Sequence, residues 1–308
     1  MDNPKIGRYI DPLTDFGFKY LFGNEPHKDL LISFLNSVFQ GRKIIKDLNI
    51  GATEQIADFS KHRGVTVDLY CTGKDGERFI VEMQRGSQEY FKDRSIYYTS
   101  RVINRLVGKK RKWNYELPEV YFIGIMDSKF NDNPDRNYFH DIHLTDRTSG
   151  QEFYEKLGYI YIELPNFDKE FTTSDPVEEI SELDKCVYVL KHLSHLNKAP
   201  GFLNKLIFKK LFKIAEIVNL KNEELMSYES SRKAQWDYDN SIAYAEKKAL
   251  LKGIEKGREE GREEGFLEAK LSFVKSMMLK LNFSDEQIAK SLDISLEFVQ
   301  KIRAELNK

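Results

Sequence analysis

The stretch that most constrains this 308-residue chain is VTVDLYCTGKDGERFIVEMQRG, residues 65–86. Apolar and polar residues alternate on both sides of Lys74-Asp75-Gly76, the pattern of two β-strands joined by a tight turn. Strand side chains alternate faces, so Val65, Val67, Leu69 and Cys71 share one apolar face with Phe79, Val81 and Met83. Opposed residues must lie on the same face. A two-residue Asp75-Gly76 turn would set apolar residues against polar ones. A three-residue loop with Gly76 in the left-handed position instead matches Leu69 with Val81 and Val67 with Met83.

The same register places Asp68 opposite Glu82, with Gln84 two residues further along that face. Opposed side chains begin only about 4.5–5.5 Å apart, so two carboxylates there repel unless a cation lies between them. A divalent metal is the natural candidate. Mg²⁺ commonly uses one or two carboxylates and keeps waters for phosphate substrates. A solvated sheet face, with each acid paired to Lys or Arg, is the other reading of the same spacing.

Around the hairpin the chain reads as α/β. Leu30, Leu31, Phe34, Leu35 and Val38 predict a helix from about Pro26 to Phe39. Residues 44–50 suit a short strand, and a helix follows from Tyr90. EVYFIGIMD, residues 119–127, is an apolar run of strand length, as expected of a strand covered on both faces. A polar loop at 130–136 precedes strands near 138–145 and 157–164, and from about Ser174 the pattern is helical. The order predicts a sheet with helices on its faces, followed by a helical C-terminal region. The boundaries drawn are 1–170 for the α/β domain, 171–250 for a helical region and 251–308 for a charged tail.

In the tail, Gly253, Gly257, Gly261 and Gly265 recur every fourth residue among Lys, Arg and Glu. Each costs a helix roughly 1 kcal/mol against alanine. Their common face suits either a solvated helix or a seam where two copies approach closely, so a homo-oligomer through this helix is expected. FSDEQIAKSLDISLEFVQKIRAEL resembles a small helix-turn-helix, with a Ser284/Gln287 capping box, Ser295 capping the next helix, and a core from Ile288, Ala289, Leu292, Ile294, Val299 and Ile302. A plain helical hairpin fits as well, because the second helix has few side chains suited to reading bases.

Forty-eight basic residues balance 49 acidic ones, so attraction to DNA must be local. Arg101, Arg105, Lys109, Lys110, Arg111 and Lys112 form one basic cluster, and Lys205, Lys209, Lys210 and Lys213 another. The two cysteines exclude a disulfide framework or a cysteine-rich zinc site, and Cys71 reads as a core residue. His140 and His143 would point to opposite faces of a strand, and a polar loop is preferred there to a metal site. No apolar run is long enough for a membrane span, and MDNPKIGRYIDP has no apolar signal core, so a cytoplasmic protein is expected. The glycine-rich patterns of phosphate and dinucleotide binding are missing.

An aspartate on one strand and Glu-x-Gln on the next resemble the core of the PD-(D/E)XK nuclease superfamily, with Gln84 where lysine is usual. DPLTDFGFKYLFG, VDLYC, GERFIVEMQ, the helix carrying Arg94, Tyr97 and Tyr98, and the glycine-spaced tail together resemble the Rpn family of recombination-promoting nucleases and transposases. The resemblance spans roughly residues 8–300. It implies a restriction-endonuclease-like core, a mixed central sheet flanked by helices, and a Mg²⁺-dependent DNA endonuclease. Asp68 and Glu82 would hold the metal. Gln84 would orient water, and Asp15 would add a third carboxylate unless it serves as a helix cap. Lys19, Lys92 or Arg94 would replace the missing lysine charge, and these residues with Arg101 would meet DNA. A DNA-binding or assembly protein that keeps the fold without its activity is the alternative.

Overall fold

A computed structural model describes residues 7–51, 67–107, 114–130, 136–171 and 177–306. Val65, the cluster Lys109–Lys112 and most of the loop at 130–136 lie outside the described residues. Two compact units are present, Met1–Gln235 and Trp236–Lys308.

The first unit is built on a six-stranded sheet. Its strands are β1 (Leu48–Gly51), β2 (Leu69–Gly73), β3 (Arg78–Gln84), β4 (Val120–Met126), β5 (Phe139–Thr145) and β6 (Glu152–Glu163), in the order β1-β2-β3-β4-β6-β5. The central strands β3, β4 and β6 are parallel, and the outer pairings β1–β2, β2–β3 and β5–β6 are antiparallel. This is the mixed sheet expected. The helices of this unit are α1 (Asp15–Phe22), α2 (Lys28–Phe39), α3 (Phe91–Val107), α4 (Glu182–His192) and α5 (Leu206–Ala215). Helix α6 (Asn222–Leu281) begins here and continues into the second unit.

The hairpin has the register read from its alternation. Leu69 pairs with Val81, Tyr70 with Ile80 and Cys71 with Phe79. Gly73 N–H donates to the Glu77 carbonyl at 2.9 Å across a Lys74-Asp75-Gly76 loop, and Gly76 takes φ +93°. That left-handed geometry is why the position is glycine. Strand β4 is buried along its whole length, as its continuous apolar run required. Strand β6 begins earlier than the apolar run alone suggested, because Glu152 and Tyr154 of the mostly exposed EFYEK segment pair with Thr145 and Leu144 of β5.

Two apolar clusters sandwich the sheet. One joins Leu69, Cys71, Phe79 and Val81 to α1, α2, α4 and α5. The other lies under α3 and contains Ile80, Phe91, Val102, Val120, Phe122, Met126 and Tyr161. Two expectations change here. The even-numbered face of the hairpin is not a reactive surface along its length: α3 seals it at Ile80, which separates Arg78 at the start of β3 from Glu82 and Gln84 at its end. Val67 does not extend the odd face. The ladder starts at Leu69, and Val67 packs in the α3 cluster instead.

The segment His140–His143 is part of β5, not a loop. Adding three residues on a strand reverses the face, as expected. His140 meets the buried Glu163 at 2.7 Å, whereas His143 is exposed.

In the second unit α6 meets α7 (Asp285–Leu292) and α8 (Leu296–Leu306). Ser284 and Gln287 form the predicted reciprocal capping box, and Ser295 accepts the Phe298 N–H at 3.2 Å. Ile288, Val299 and Ile302 are buried with Val274 and Met278 of α6. No described helix is long and apolar enough to cross a membrane.

Candidate active site

The acids meet where β2 begins and β3 ends. Asp68 N–H donates to Glu82 Oε1 at 3.2 Å, and Met83 N–H donates to Asp68 Oδ2 at 2.8 Å. Each carboxylate thus spends one oxygen bracing the neighbouring strand. The other oxygen faces a cation: Lys19 Nζ stands 4.0 Å from Asp68 Oδ1, and an Arg94 guanidinium nitrogen 3.8 Å from Glu82 Oε2. Both separations exceed a hydrogen bond, so the cations temper the acids without closing them off.

Burial governs the electrostatics. Glu82 is only 6% exposed. Its neighbour in register on β4 is Gly124, and the missing side chain lets the Phe91 and Tyr161 rings close over that position. Loss of solvent, and next the Asp68 charge, push the Glu82 carboxyl up to about 8, while Arg94 pulls it down. Burial also raises Asp68, against the Met83 N–H and Lys19.

Gln84 has both amide atoms engaged. Its Nε2 donates to the Arg85 carbonyl at 2.8 Å, and its Oε1 accepts from Arg94. Arg94 also donates to Gln88 Oε1 and lies over the Phe91 ring at 4.9 Å and the Tyr98 ring at 5.8 Å. Of the three candidate cations, Arg94 from α3 and Lys19 from α1 reach the acids. Lys92 turns to the Phe130 ring at 4.5 Å. Arg101 follows Arg94 two turns later on α3.

Asp15 is exposed and pairs with Lys19 at 2.6 Å, which ties it to Asp68 through a shared lysine. It does not cap α1. Thr14 holds the N-cap position, and its hydroxyl accepts the Gly17 N–H at 3.0 Å. Asp15 is the first helical residue, where a negative charge favours the helix N-terminus. Gly17 is glycine by necessity, since a Cβ there would stand 2.0 Å from the Asp11 carbonyl oxygen.

Among the described residues no three His, Cys, Asp or Glu side chains gather to hold a metal. The protein donors would be the Asp68 and Glu82 pair. Hard carboxylate oxygens, two in number and held by backbone N–H groups, fit a divalent cation that keeps its own waters. Sequence reading passed over Glu163. This residue is fully buried at the end of β6, in register with Met126 and, one strand further, Gln84. It accepts from Asn166 Nδ2 at 2.7 Å. An acid closing the apolar run YIYIE was its only signal.

Two of the four lysines in the basic cluster at 205–213 are held in ion pairs. Lys210 pairs with Asp29 at 2.6 Å, and Lys205 with Glu182 at 2.9 Å.

The family described as PD-(D/E)XK nuclease family transposase matches residues 12–245. The chain belongs to this family. The match runs from α1 through the sheet and into α6, so it covers every element that shapes the acid site of this PD-(D/E)XK transposase. Its fold is of the restriction-endonuclease-like α/β kind, and nucleases of the family generally use divalent metals. Among curated proteins and among solved structures, none matches this chain.

Proposed function

We propose that the chain is a Mg²⁺-dependent DNA endonuclease acting in recombination or transposition. The observation that carries this is the meeting of Asp68 and Glu82, each with one oxygen fixed by the backbone and one facing a cation. These two residues would hold the metal. When bound, it supplies a water of lowered pKa and positive charge for the phosphate oxygens. Gln84 holds Arg94 beside Glu82, and Arg94 gives the phosphate the charge that an amide lacks. Lys19 sets the position of Asp68 and links it to Asp15. Arg101, with Lys92 at the start of α3, would meet phosphates without reading sequence. Gln84 at the lysine position favours a second reading, a DNA-binding or assembly protein without activity.

Nicking of supercoiled plasmid separates the two. The expected result is nicking with Mg²⁺, none with a chelator, and none from Asp68→Ala. Cleavage surviving Asp68→Ala would remove the site proposed here. DNA binding without metal-dependent cutting would support the second reading.

Self-association through α6 is part of the proposal. A Cβ added at Gly253, Gly257, Gly261 or Gly265 meets nothing within 4 Å, and Leu250, Leu251, Ile254, Phe266 and Leu267 are exposed beside them. In a lone helix, Gly257→Ala with Gly261→Ala adds roughly 1 kcal/mol of helix stability per site. In a seam the added methyls hold the helices apart. Sedimentation is therefore expected to show wild-type oligomers that weaken in the double variant as its helicity rises. A monomeric wild type at micromolar concentration would refute the seam.

A further inference from the structure

The residues along the exposed face of α6 are not distributed evenly. The helix is unbroken from Asn222 to Leu281, and residues 241–269 are all exposed. Most helical stability in proteins comes from a packed face, and glycines weaken a helix that lacks one. Between Ala243 and Glu268, eight positions follow one another at spacings of alternately four and three, the period of a coiled-coil seam. The first four are Ala243, Lys247, Leu250 and Ile254, and the last four are Gly257, Gly261, Glu264 and Glu268. Bulk and positive charge occupy one half. Bare backbone and negative charge occupy the other.

The two halves are complementary in reverse order. When two copies of the helix run antiparallel, one register sets Ile254 of one copy on Gly257 of the other. The same register sets Leu250 on Gly261 and Lys247 on Glu264. A Cβ on Gly257 or Gly261 would meet nothing within 4 Å, so each glycine leaves a recess for an opposing aliphatic side chain. The ion pair formed within this stretch is Lys256 with Glu260 at 3.4 Å, which leaves Lys247 and Glu264 available to a second copy. A parallel pair in register does the opposite. Lys247, Glu264 and Glu268 would each face their own kind, and like charges brought together are repelled. Glycine would face glycine and leave the seam hollow. We propose that α6 pairs antiparallel with α6 of a second copy, and that two Lys247–Glu264 contacts related by the two-fold axis fix the register. The inference rests on the self-association reading and adds its direction and alignment.

The test is sedimentation of the full chain carrying Lys247→Glu, Glu264→Lys, or both. In the antiparallel pair each single change creates two like-charge contacts, and the double change restores two attractive ones. The dimer Kd is expected to rise about tenfold or more in each single variant, and to return to within about threefold of wild type in the double. Added salt should shrink the single-variant defects. Both positions are exposed, so the fold should survive, and circular dichroism checks that helicity is kept. Dimers indifferent to both single changes, as a parallel pair would be, overturn the antiparallel register and leave self-association standing. Weakening in the single variants without recovery in the double removes the register as well. A monomeric wild type removes both readings.

Discussion

Glu82→Gln is expected to abolish cutting and to make the protein more stable. The Glu82 carboxyl ionises at about 8 in the folded chain against an ordinary value of 4.5. Between those values the folded state keeps a proton that the unfolded state has released. Stability therefore falls as pH rises through that window and levels off above about 8. At neutral pH the cost is on the order of 3 kcal/mol, and glutamine does not incur it. The amide oxygen still accepts the Asp68 N–H. Melting should accordingly rise by several degrees at pH 7 and lose its slope across the window. Mg²⁺ should raise the melting temperature of the wild type and not of the variant, with the wild-type effect growing as pH rises toward 8. Asp68→Ala should share the loss of cutting but not the gain, because Met83 N–H loses its acceptor at a cost of about 1–3 kcal/mol. A Glu82→Gln protein that nicks plasmid, or melts lower than wild type at neutral pH, would contradict this account.

Arg94→Gln is expected to lower kcat by about 10²–10³ while leaving KM for plasmid within a few-fold, the size of effect seen when one preorganised donor is removed. If Arg94 only attracts DNA, KM and its salt dependence would move and kcat would not. The coupling to Gln84 gives a sharper check. Gln84→Lys puts an ammonium directly on β3, so Gln84→Lys combined with Arg94→Gln should regain activity that Arg94→Gln lacks. Loss of Arg94 also removes a charge that holds Glu82 down, so the pH at which Glu82 ionises should climb. No recovery in the combined variant would separate Gln84 from Arg94.

Much of this was legible in the alternation of the hairpin. Leu69, Cys71, Phe79 and Val81 alternate strictly, and a one-residue slip would turn every one of them outward, so a single register survives. The same arithmetic set Asp68 opposite Glu82; the ladder itself begins at Leu69, and the two acids meet just outside it through the Asp68 N–H and Glu82 Oε1. Periodicity does not reveal which long side chain arrives from another element. Arg94 was one of three equivalent cations until α3 docked Phe91 into the space over Gly124 and brought Arg94 to Glu82. The sealing of the even face at Ile80 was hidden for the same reason, since the amphipathic period of α3 does not say which sheet face it covers. Thr14, not Asp15, caps α1 because either residue suits the position and only backbone geometry selects between them.

The cross-strand brace between Asp68 and Glu82 has a consequence for the maturing polypeptide. Neither acid is oriented by its own strand; each takes its aim from the backbone of the other. A nascent chain whose two segments have not zipped together holds scattered carboxylates and no braced pair. The braced pair thus forms only with the finished sheet, so the cutting proposed above would be absent from half-made molecules.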